Sequence, residues 1–187
     1  MIIELIYLFL IKNLTSMWTI ICVFLAFLLY IAYNSAVIKL FGIPESLSNT
    51  FYLYKEKHPL LCVLFPIFMV SMVALLLPAW LELTAASALQ FLVFLACAGI
   101  LFTGFAPAFK GCKLESKVHK ISAICAAVFS LLWVIFVSHM WAFIIVWLII
   151  IAVVAILTKT VKSSYVFWLE TIAFLSTFTA IIGFSFI

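Results

Sequence analysis

Between the lysine cluster at 117–120 and Lys159, about 40 residues pass with Ser138-His139 as the one clear polar break. As a single helix this stretch would be about 60 Å long, twice the ~30 Å hydrocarbon core of a bilayer. Two antiparallel helices joined by a tight turn at Ser138-His139 place the same residues within one membrane thickness. Similar windows recur along the chain, at about residues 17–38, 59–81, 87–108, 118–138, 140–158 and 164–187. Each is close to the ~20 apolar residues that a spanning helix needs. The fold class read from this pattern is all-α: a polytopic membrane helix bundle with about six transmembrane helices, residues 17–187 forming a single domain. Composition closes the soluble alternative, because 70% of residues are hydrophobic and 9% are charged, against ~25% charged in soluble domains.

Residues 1–16 form a short apolar stub with no basic n-region, so they make a poor secretory signal. Two readings stand for it: an interfacial helix on the outer face, with Glu4 and Lys12 among the headgroups, or a stretch upstream of a natural start at Met17.

The 10 basic residues are all Lys and the 6 acidic residues are all Glu. Without Arg, an Arg-based voltage sensor and bidentate guanidinium clamping of phosphate are excluded. Without Asp, the paired-aspartate membrane enzymes are excluded as well. In the six-span frame, Lys39, Lys55, Lys57, Lys110, Lys113, Lys117, Lys120, Lys159 and Lys162 all fall in or beside the loops after spans one, three and five, leaving Lys12 alone on the other side. The positive-inside rule makes these loops cytoplasmic and both termini external, in the cell inner membrane. Trp18, Trp80, Trp133 and Trp141 fall near the outer ends and Trp168 near an inner end, as an interfacial belt would; Trp147 lies deeper.

Small residues mark the packing faces, since close backbone approach holds membrane helices together. They are Ala96 to Gly99 with Thr103 and Gly104 in span three, Ser122, Ala126 and Ser130 beside Ala123 and Ala127 in span four, and Ala173, Ser176, Ala180 and Gly183 in span six. Pro66 and Pro78 predict a kink in span two.

Glu170 is the one acidic residue inside a span. Its spacing to Ala173 and Thr177 places it on the small-residue face, toward the bundle interior. A charge at the membrane centre costs roughly 2.5–3.5 kcal/mol on insertion scales, so it must be paired, protonated or near water. It is the first candidate for binding, as a ligand for a cation, a proton or a polar substrate arriving from the cytoplasm. The plainer reading is a carboxylate that locks the bundle by pairing with a Lys or a polar group of span one. Tyr30 and Asn34 share a face at i, i+4 near the inner end of span one, where Asn34 would reach Glu170 if spans one and six adjoin. In the loop Gly42 to Tyr54, Leu47, Phe51 and Tyr54 form an apolar stripe suited to the inner membrane surface. Its hydroxyls, Ser46, Ser48 and Tyr52 among them, are candidates for contact with a headgroup or polar substrate. His119 completes the candidate set.

His58, His119 and His139 lie at interfaces, and no metal-ligand spacing occurs beyond a loose grouping of His58 and His119 with loop glutamates, so neither a metal nor a cofactor is expected. Cys22, Cys62, Cys97, Cys112 and Cys125 form no C-x-x-C pair and read as buried hydrophobes or free thiols. The run from Gly42 to Tyr54, with Phe105-Ala106-Pro107-Ala108-Phe109-Lys110 and Lys117-Val118-His119, resembles uncharacterised small multispan proteins of bacterial or phage genomes. That resemblance implies no activity and no functional residue.

The first functional reading is a non-catalytic protein that binds or passes a small or amphipathic molecule from the cytoplasmic side, or serves as a membrane component of a larger system. A lipid-modifying enzyme using Glu170, His119 and the loop hydroxyls is the alternative, and a pore-forming oligomer the third. The expected partners are membrane lipids, with a homo-oligomer or larger complex beside them, and no nucleic acid.

Overall fold

The computed structural model describes residues 2–108, 110–111 and 113–186, with side chains from Met17 onward. Seven α-helices are seen among them: α1 (Ile2–Phe41), α2 (Thr50–Lys57), α3 (Leu64–Leu83), α4 (Phe91–Phe105), α5 (Lys113–Phe136), α6 (Ala142–Leu157) and α7 (Tyr165–Phe184), with a 3-10 turn over Pro59–Val63. Four helical segments are long and apolar enough to cross a membrane: Met17–Phe41, Pro59–Leu83, Lys113–Phe136 and Tyr165–Phe184. The described chain is therefore all-α, with four helices that by length and composition can cross a membrane. At 15 and 16 residues, α4 and α6 reach only about 22–24 Å, because turns at 84–90 and 138–141 take residues that the hydropathy pattern counts as span. The stub is not set off by a break, since α1 continues upstream of the span to Ile2.

Side-chain contacts give each neighbouring pair its direction. Met17 to Cys22 lie beside Pro78 to Glu82, while Tyr33 stacks on Phe68 at 4.1 Å, so α1 and α3 are antiparallel. Tyr30 donates to Thr171 Oγ1 at 3.2 Å and Phe27 meets Phe178 edge-on at 5.6 Å, making α7 antiparallel to α1. Trp147 Nε1 donates to Thr179 Oγ1 at 3.2 Å, which explains its depth: it ties α6 to α7 and is not an interfacial anchor. In this arrangement the C-termini of α1, α4 and α6 and the N-termini of α3, α5 and α7 gather at one end. That end carries the loops with the nine lysines.

The tightest seam is between α4 and α5. A Cβ at Gly99 would stand 2.6 Å from both Ala126 N and Ser122 O, so only glycine permits this approach. A Cβ at Gly104 would likewise stand 2.7 Å from Met69 Cβ on α3.

One expectation needs correcting, and one resolves to a single residue. Trp80 and Trp133 are fully buried and meet edge to face at 5.3 Å, with Trp133 Nε1 donating to Thr84 Oγ1 at 3.1 Å. They form an internal cluster at the end opposite the lysines, while Trp18 and Trp141 remain exposed. Of the two prolines, Pro66 falls in the first turn of α3, where the missing N–H has no intrahelical partner to lose; Pro78 alone interrupts the helix interior.

Candidate functional site

The site begins with how the chain leaves α1. Gly42 has φ +78° and donates its N–H to Ile38 O at 2.9 Å, a left-handed helix cap that turns the following loop back toward the bundle. The loop then runs against the first turn of α7, whose N–H groups lack intrahelical acceptors. Phe167 N donates to Glu45 O at 3.1 Å, and Ser164 Oγ donates to Ile43 O at 3.4 Å. One turn further on, Leu47 N donates to Glu170 Oε2 at 2.7 Å.

This last bond answers the pairing question raised by the sequence. Among the described residues Glu170 is held by the backbone of a loop, neither by a Lys nor by span one. Spans one and six do adjoin, but Asn34 Nδ2 donates to Tyr30 O at 2.9 Å and its Oδ1 is buried without a partner among the described residues. Oε2 is the only Glu170 oxygen with a protein hydrogen bond among the described residues.

Glu170 is half-buried and borders a cavity of about 50 Å³ between α3, α4, α5 and α7. Leu47 and Glu170 stand at the lysine-rich end and Trp80 and Ser130 toward the other, with Ala123, Ala127 and Phe174 between. From Glu170 to Phe178, both at its wall, α7 rises about 12 Å. The lining is mostly aliphatic and aromatic; its hydroxyls are Thr103, Ser130 and Thr177, which donate to carbonyls of their own helices. Waters need several polar partners, and most of the wall offers none. Such a wall suits hydrocarbon rather than a polar solute.

The remaining candidates divide between loop and helix. Ser46 and Ser48 hydroxyls are 3.0 Å apart, and Ser46 Oγ accepts from Asn49 N at 3.1 Å. Tyr52 OH accepts from Lys110 N at 2.7 Å, while Lys110 Nζ donates to Asn49 Oδ1 at 2.8 Å and sits 4.8 Å over the Tyr52 ring. These groups shape the loop that floors the cavity. Leu47, Phe51 and Tyr54 are buried; Tyr54 packs on Phe41 and Tyr33, so this stripe faces protein and not the membrane surface. His119 is buried, with Nδ1 3.0 Å from Ala106 O at the end of α4, and it is not part of the cavity wall. Among the described residues no group of three His, Cys or Glu is placed to hold a metal, and Cys22, Cys62, Cys97 and Cys125 are free thiols.

Sequence reasoning found Glu170 and its small-residue neighbours but not Leu47 or Trp80. Leu47 carried a signal, as the first residue of an apolar stripe after a helix-ending glycine. No family model, curated protein or solved structure gives a significant match to this chain.

Proposed function

We propose that this protein is a non-catalytic membrane protein that binds a single-chain amphipathic molecule drawn from the cytoplasmic leaflet. The observation that carries the reading is the cavity: mostly apolar in its lining, and edged at the lysine-rich end by a carboxylate with one oxygen that has no hydrogen bond among the described residues. A chain lying along Ala123 and Ala127 replaces weakly held water with apolar contact, and its head meets Glu170. The enzyme alternative requires Glu170 and His119 to converge on one cavity, and His119 is engaged at the end of α4.

The reading includes six crossings with both termini outside and the nine lysines cytoplasmic in an inner membrane. It is supported by the alternating helix directions and by the gathering of the lysine-bearing loops at one end. Compartment-specific reporters fused to each terminus test it: the expected result is external activity from both, and internal activity from either overturns the frame.

Binding is tested with dodecanol carrying a terminal bromine, added to the protein in phosphatidylcholine nanodiscs. Bromine quenches nearby tryptophan, and Trp80 lies at the far end of the cavity. Saturable quenching in the wild type that disappears in Ala127→Leu supports the reading. Quenching that rises without saturation and is equal in the two proteins overturns it.

A further inference from the structure

We infer that the head group recognised at this cavity is cationic, an alkylammonium rather than an alcohol, a carboxylate or a phosphate; this rests on the cavity-binding reading above. The first ground is charge. Among the described residues Glu170 is the sole ionisable group of the wall, with no Lys and no His bordering the space, and the chain has no Arg at all. Lys110, the lysine nearest in the hydrogen-bond network of the loop, is already committed to Asn49 Oδ1. An acidic head would meet Glu170 with no counter-charge, which in a low-dielectric setting is repulsive.

The second ground is geometry. Leu47 N–H occupies Oε2, so the carboxylate is oriented and its second oxygen is left as an acceptor. An ammonium offers three donors and a positive charge; a hydroxyl offers one donor and no charge. Phe174, one turn along α7, also borders the space and adds an aromatic face of the kind that attracts a desolvated cation. A charge-assisted hydrogen bond contributes roughly twice what a neutral one does, a difference of about tenfold or more in affinity.

The same chain with three heads tests the inference. Dodecylamine, dodecanol and dodecanoate are used to displace the bromine-tipped dodecanol from the protein in phosphatidylcholine nanodiscs, each referred to its bilayer-bound concentration. The amine is expected to displace at about tenfold lower concentration than the alcohol, with dodecanoate weakest. Glu170→Gln keeps an oxygen to accept from Leu47 N and removes the charge, so amine and alcohol should then agree within about twofold. Equal displacement by amine and alcohol in the wild type overturns the inference while leaving the cavity reading in place. So does a preference for dodecanoate, or an amine preference that survives Glu170→Gln. Absence of saturable binding by every chain overturns both.

Discussion

On one side α5 meets α4, and on the other it faces α7 across the cavity, and both sides are written in Ala and Ser. Against α4, Ser122 and Ala126 lie opposite Gly99, close enough that a single Cβ would collide with backbone. Toward α7, Ala123, Ala127 and Ser130 lie opposite Glu170, Phe174 and Phe178, and a gap remains. A small-residue stripe therefore closes a seam only where its partner is small too. Opposite bulky or polar side chains, the same stripe makes room.

Substitutions on the two sides should separate accordingly. The largest effect is expected at Gly99→Ala, where the neighbour that must yield is helix backbone; overpacking of this kind costs about 1–3 kcal/mol, read as a lowered thermal midpoint in nanodiscs. An unchanged midpoint would mean that the seam is looser than described. Next comes Glu170→Leu, which leaves Leu47 N–H unpaired at a cost of about 1–3 kcal/mol. Glu170→Gln retains an acceptor and should stay within ~1 kcal/mol of the wild type. If the two variants melt alike, the Leu47 bond does not hold the loop. The smallest effect belongs to Gly183→Ala: the nearest obstacle is Met140 Sδ at 2.9 Å, the end of an adaptable side chain, and a loss below ~1 kcal/mol is expected by the same melting measurement.

How far the sequence foretold this arrangement follows the same division. Helix-scale features were legible, because hydrophobicity, lysine placement and small-residue spacing are local: Glu170 reads as inward-facing from its distance to Ala173 and Thr177 alone. The turn at Ser138-His139 was legible too, and His139 takes a positive φ of 56° there. What failed were inferences about partners. Trp80 and Trp133 have the composition of an interfacial belt, but each is the other's neighbour, a pairing across 53 residues of chain. The stripe Leu47, Phe51 and Tyr54 suits a membrane surface as well as a protein groove, and only the left-handed cap at Gly42 and the acceptor at Glu170 decide between them. The lengths of α4 and α6 were overread because hydropathy cannot tell an apolar turn from an apolar helix.

We propose that the open side of α5 is a binding cavity and not a packing defect. Ala127→Leu tests it most directly, since the added carbons occupy the space while leaving the Gly99 seam untouched. The variant should fold with a thermal midpoint at or above that of the wild type and lose the saturable quenching of tryptophan by bromine-tipped dodecanol. A variant that folds equally well and still binds the brominated chain with unchanged affinity would contradict the account.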